Sequence, residues 1–148
     1  MSLTPLQIWQ GFIDGSVKPI EMISSVIPMT FLIVEKGYIK VTATAEDRHL
    51  LPSGWAHGGY CATIIDTITA GVVHTGLDAN QFASTTDLNV KMIKAVPPGL
   101  ALFAEATLVS QTRQLGTAEA RVTDADGNLY AWGTATCMIR ERRQPRQS

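Results

Sequence analysis

Cysteine is scarce in this 148-residue chain, which carries only Cys61 and Cys137. Two thiols cannot build a disulfide framework. Both lie in apolar stretches and read as buried free cysteines of a reducing compartment. Charge of one sign is also lacking. A formal net charge of −1 leaves no electrostatic footprint for nucleic acid over the whole chain. The one basic cluster, Arg140, Arg142, Arg143 and Arg146, reads first as a solvated tail; the sharper alternative is that its first arginines help hold a phosphate-bearing ligand. There is no stretch of about 18 uncharged apolar residues flanked as a membrane span would be, and no basic leader followed by a long apolar core. The expectation is a soluble, cytoplasmic protein with no membrane or nucleic-acid partner. His49, His57 and His74 lack metal-ligand spacing, so no metal site is expected. No nucleophile-elbow motif supports a Ser-His-Asp mechanism. Internal repeats, low-complexity stretches and linkers are absent as well. The length then describes one domain, 1–148, with an N-terminal helical segment at 1–28 and a basic tail at 140–148.

What is present is apolar patterning: 45% of the residues are hydrophobic and 17% charged. Thr4 and Pro5 open a short amphipathic helix over 4–13 and Gly15 closes it. A second helical turn is expected within 19–25. Strands are predicted over 29–35 and 38–45, with Lys36-Gly37 as the tight turn between them. A polar loop covers 46–55. A long helix over 58–74 is apolar nearly all round, so it should be surrounded rather than lie on a surface. Strands follow over 82–96, 100–110, 116–123 and 129–139, the last two joined at Asp126-Gly127. Simple alternation in the first of these puts Thr86, Leu88, Val90 and Met92 on one face and Thr85, Asp87, Asn89 and Lys91 on the other. One long helix cannot cover both faces of six strands. The fold class is α+β, an antiparallel six-stranded sheet wrapped around one long central helix.

The chemistry-bearing stretch is His57-Gly58-Gly59 and, within the helix it opens, Asp66. The first amides of a helix have no internal partner and sit at the positive end of its dipole. Glycines there let a ligand approach the backbone, so the turn can polarise a carbonyl. Asp66 is the lone acid of an uncharged helix. A carboxylate in that setting is held by neighbouring hydroxyls such as Thr63 or Thr67, or is used as a nucleophile or general base. Asp66 lies seven residues beyond Gly59, which is roughly 10 Å along one helix. If both groups act on one bond they come from two chains, which implies a two-fold dimer with two shared sites.

His57-Gly58-Gly59, six intervening residues and Asp66 resemble the signature of hot-dog-fold acyl-CoA thioesterases of the phenylacetate-degradation (PaaI-like) type. The likeness runs from about Gly37 to Ile139 through Leu51-Pro52-Ser53-Gly54-Trp55-Ala56, Thr85 to Val90, Pro98-Gly99, Ala104-Glu105-Ala106 and Asp126-Gly127, in order. The resemblance implies a hot-dog fold, a dimer and often a dimer of dimers, and cofactor-independent hydrolysis of acyl-CoA. It implies Asp66 as nucleophile or base and the partner's Gly59 amide on the thioester carbonyl, with His57 and Gly58 shaping the turn. It also implies a hydroxyl from Thr85 near the reacting centre, with Thr86 adjacent and the inward one of the two left open. Lys91, Lys94, Arg113 and Arg140 are the candidates for the CoA phosphates. Two positions depart from the pattern. Leu51 stands where the family commonly has Asn or Gln, and Lys94-Ala95 where an Arg-Pro pair is common. Leu51 favours the alternative of a non-catalytic acyl-CoA-binding hot-dog protein.

Overall fold

The computed structural model describes residues 2–18 and 22–143. Its elements are α1 (Pro5–Asp14), α2 (Ile23–Val26), β1 (Thr30–Glu35), β2 (Tyr38–Thr44), α3 (Gly58–His74), β3 (Gln81–Met92), β4 (Ala101–Gln111), β5 (Leu115–Thr123) and β6 (Leu129–Glu141). The six strands form one antiparallel sheet in the order β1-β2-β4-β5-β6-β3, so β1 and β3 are its edges. The tail from 144 and part of the expected 19–25 turn lie outside the described residues. No helix among the described residues is long and apolar enough to cross a membrane.

Local chemistry sets the boundaries. The Thr4 hydroxyl accepts from the Gln7 amide while the Gln7 side chain accepts from the Thr4 amide, which closes the first turn of α1. Gly37, at φ +81°, makes the β1–β2 turn that a β-carbon would strain. β3 ends at Met92 rather than near Val96. The Ile93 and Lys94 amides both turn to the Tyr130 carbonyl, and Val96 O accepts from Ala56 N at 2.9 Å. The Pro97-Pro98 pair that follows has no amide to continue a ladder.

No residue of α3 is exposed, although it lies on only one face of the sheet. Ile64, Ile65, Ile68 and Val72 are fully buried against β2, β4, β5 and β6, among residues such as Ile39, Val41, Leu102 and Val122. Trp9 of α1 closes the far end of the helix, stacked near His74 and edge-on to Phe31.

The simple alternation expected along β3 fails at one residue. The strand carries a bulge at Thr86: Thr85 pairs with Cys137, but Asp87 already pairs with Thr136. Opposed residues of an antiparallel pair share a face, so Thr85 joins Leu88, Val90 and Met92 on the helix side. Leu88 and Met92 remain exposed there, at the rim that α3 leaves uncovered.

His74 ties the end of α3 to the start of β3. Its Nδ1 donates to Ala70 O at 2.7 Å and its Nε2 accepts from Ala83 N at 3.2 Å. Burial pushes its pKa down, and the nearby Arg142 charge adds to that against the bond to Ala70. A histidine with a depressed folded pKa is protonated more readily in the unfolded chain. It therefore supports the fold above about pH 6.5 and loses that contribution as pH falls through and below this value. Urea midpoints of the wild type are expected to drop more between pH 7 and 5 than those of His74→Gln, which cannot titrate there.

Candidate active site

His57 is the N-cap of α3. Its Nδ1 accepts the Gly59 amide at 2.8 Å, which places the proton of the neutral ring on Nε2. The Tyr60 amide donates to His57 O at 2.8 Å. Of the amides that open the helix, Gly58 N–H is therefore the one without a partner among the described residues. Gly58 also lines a cleft of about 340 Å³, whereas Gly59 does not. The cleft is walled by Leu51, Trp55, Cys61, Met92 and Val96, with Ser53 and Lys94 as polar groups. A β-carbon on Gly58 would sit 3.2 Å from Met92 Cε. The Lys94 ammonium lies 5.3 Å above the Tyr130 ring beside this cleft. Burial lifts the Cys61 thiol to about 11, so it stands protonated in the cleft wall.

The turn itself is anchored by His49, which sequence reasoning treated only as a failed metal ligand. His49 O accepts from His57 N at 2.9 Å. The buried ring donates from Nε2 to Val26 O at 2.6 Å and accepts the Glu46 amide at Nδ1 at 3.0 Å. No periodicity in the sequence signals this bracket, because its partners are main-chain groups 23 and 3 residues away.

Asp66 is half-buried, and its Oδ1 accepts from Thr85 Oγ1 at 2.8 Å. Neither helical hydroxyl holds it: Thr67 Oγ1 donates to Thr63 O. Thr86, on the bulge, is exposed and donates to Thr136 O at 3.2 Å, away from Asp66. The open choice between the two threonines thus falls to Thr85 on geometry. The second carboxylate oxygen, Oδ2, has no partner among the described residues. Asp66 stands eight residues past Gly58, about 12 Å along α3.

The four cationic candidates do not converge within one chain. Lys91 pairs with Trp132 on the sheet face turned away from α3 and is exposed. Lys94 borders the Gly58 cleft. Arg113 and Arg140 line a second cleft of about 310 Å³ with Gln81, Gln114, Ile139 and Glu141. Gln81 and Met92 bound β3, so the two clefts lie at opposite ends of a strand roughly 35 Å long.

A sheet curled round one buried helix, with a capped glycine turn at its start and a threonine-held carboxylate in its middle, defines a hot-dog protein. The chain belongs to the thioesterase superfamily, whose family model matches residues 53–131. Solved structures agree. A phenylacetic acid degradation-related protein of Ralstonia eutropha is 26% identical over 88% of this chain and 98% of its own, with a TM-score of 0.79. A Streptococcus mutans protein solved with acetyl-CoA is 26% identical over 86% of this chain and 96% of its own, with a TM-score of 0.72. Zebrafish thioesterase superfamily member 2 is 24% identical over 93% and 99%, with a TM-score of 0.75, and speaks for the fold. No match to the chain is found among curated proteins.

Proposed function

We propose that the protein hydrolyses acyl-CoA thioesters to free acid and CoA, with Asp66 of one protomer acting on a thioester held at the α3 N-terminus of a second copy. The observation that carries this is Asp66 itself. It is a half-buried carboxylate on an otherwise uncharged helix, with one oxygen gripped by Thr85 and the other free among the described residues. Thioesterase-superfamily membership supplies the bond class. The donor to the carbonyl is the Gly58 amide rather than the expected Gly59 amide, because His57 already satisfies Gly59. His57 then acts by holding the turn, and the helix dipole adds to the pull on a developing oxyanion.

Two chains are needed because about 12 Å separates Gly58 from Asp66 on one helix. The 12-residue edge strand β3, unpaired along one side among the described strands, offers the contact. Two-fold antiparallel pairing of β3 with its copy runs the Met92 end of one protomer toward the Gln81 end of the other, and the register this reading needs is the one that carries Met92, and Gly58 with it, to the stretch around Thr85 of the second chain. That brings the Arg113–Arg140 cleft of one chain to the Gly58 cleft of the next. CoA phosphates would then meet Arg113 and Arg140 from one chain and Lys94 from the other, with the thioester at Gly58. Assembly of such dimers into a tetramer, and a cytoplasmic location, belong to the same reading.

Release of free thiol from aromatic, short-chain and long-chain acyl-CoAs tests the proposal. Turnover of at least one class is expected. Micromolar binding of every class without turnover would overturn hydrolysis in favour of an acyl-CoA carrier. Leu51 is the feature behind that second reading, since it lines the Gly58 cleft and cannot hydrogen-bond. Leu51→Asn is expected to raise kcat several-fold, on the order of one added hydrogen bond to the bound carbonyl or water. An unchanged rate would mean that another group, such as Ser53 in the same cleft, already serves that purpose.

A further inference from the structure

Behind the Asp66–Thr85 pair lies a third group. Cys137 is the direct cross-strand partner of Thr85 and is wholly buried. Its Sγ is 3.7 Å from Thr85 Oγ1. We propose that Cys137 is a positioning residue of this site: its thiol donates to the Thr85 hydroxyl, and so keeps that hydroxyl's proton directed at Asp66. The inference rests on Asp66 being the group that acts on the thioester.

The direction of the chain follows from the acceptors. Thr85 has one hydroxyl proton and two partners. A carboxylate oxygen at 2.8 Å is a far better acceptor than a thiol sulfur at 3.7 Å, so the proton goes to Asp66 Oδ1. The Thr85 oxygen then presents a lone pair to the sulfur, and the S–H is what is left to fill it. Burial pushes the Cys137 thiol above its usual range; the Thr85 contact opposes this less strongly, and the nearby Asp66 charge adds a still smaller push upward, so the thiol is a protonated donor. The order is Cys137 Sγ–H to Thr85 Oγ1, then Thr85 Oγ1–H to Asp66 Oδ1. Each bond polarises the next.

The bulge at Thr86 fits this arrangement. It lets Thr85 and Leu88 both face the helix, which seats the hydroxyl between the Cys137 thiol and the carboxylate. Asp66 is thereby fixed through Oδ1, leaving Oδ2 as the oxygen that meets water or the carbonyl. Without the thiol, the Thr85 hydroxyl loses the group that sets its rotation, and Asp66 is held less firmly.

The test is a cycle of Cys137→Ala, Cys137→Ser and Thr85→Val, read by kcat and KM on the best acyl-CoA, with melting curves to confirm folding. Cys137→Ala is expected to lower kcat roughly five-fold with KM unchanged, the scale of one neutral hydrogen bond. Cys137→Ser, which keeps a donor, should restore most of the rate. In the Thr85→Val background, Cys137→Ala should have almost no further effect on kcat. Equal losses in both backgrounds, or no rescue by serine in a folded protein, would show that Cys137 only fills space. A second readout does not depend on turnover. The infrared S–H band that Cys137→Ser removes should shift to higher frequency in Thr85→Val. If the wild type hydrolyses no acyl-CoA, the hydrolytic reading fails, and a band that stays in place would sink the relay separately.

Discussion

Replacing Asp66 with asparagine is expected to lower kcat by about a hundredfold or more while acyl-CoA binding is kept, since deletion of a general base or nucleophile costs at least that much. The substitution is close to isosteric. The asparagine would still accept the Thr85 hydroxyl through its amide oxygen, so the local geometry of α3 and β3 survives. The loss is confined to charge and proton affinity at the second carboxylate oxygen. Stability should hold or rise, because an acid on an uncharged, half-buried helix costs desolvation that an amide does not. Equal kcat for the two proteins would remove Asp66 from the chemistry. The same residue divides two mechanisms. In single-turnover hydrolysis in heavy-oxygen water, a nucleophilic Asp66 whose mixed anhydride is opened by water at the aspartyl carbon carries the label in its own carboxylate. A general base passes the label to the released acid alone.

The sequence already carried the fold, for physical reasons that particular elements show. α1 was legible from Thr4, Pro5 and Gly15, and its capping box and closing glycine appear where those residues stand. α3 was legible over its full length, from Gly58 to His74, because no helix so uniformly apolar can lie on a surface. The six strands, though not their order in the sheet or the end of β3, followed from alternation between turns such as Lys36-Gly37 and Asp126-Gly127. The site was legible only in part. Asp66 and the glycine turn stood out by composition. The Thr85 contact depends on a bulge, and a one-residue slip in register leaves no mark in an alternating Thr-Thr-Asp-Leu-Asn-Val run. That His57 holds the Gly59 amide and leaves the Gly58 amide free among the described residues depends on where a single imidazole folds back, which spacing cannot encode. His49 and Cys137 were hidden for a similar reason, since their partners are set by tertiary register rather than by sequence distance.

Gly133→Ala is expected to be the most damaging small substitution near the site. Gly133 pairs with Val90 on β6, directly beneath α3. A β-carbon there would lie 2.7 Å from Asn89 O, 3.0 Å from Ile65 Cγ2 and 3.3 Å from Val90 Cγ2. The backbone oxygen belongs to the β3–β6 ladder and cannot step aside, so the strain falls on the spacing of helix, β6 and β3. Overpacking of this kind costs about 2–3 kcal/mol, which lowers the melting temperature of a domain this size by roughly 5–10 °C. Gly133 has no positive φ, so an alanine free of contacts would instead stabilise by about 0.4–1 kcal/mol through the unfolded chain. The sign of the melting shift therefore separates overpacking at this contact from the stiffening of the unfolded chain. Ile65 is the immediate neighbour of Asp66, and Asn89 and Val90 continue the strand that carries Thr85. Pushing α3 off β3 at this point should stretch the 2.8 Å Asp66–Thr85 contact, so kcat is expected to fall along with stability. Gly58→Ala makes the contrast. Its β-carbon meets only the flexible end of Met92, and its melting temperature should stay near the wild type's even where turnover suffers.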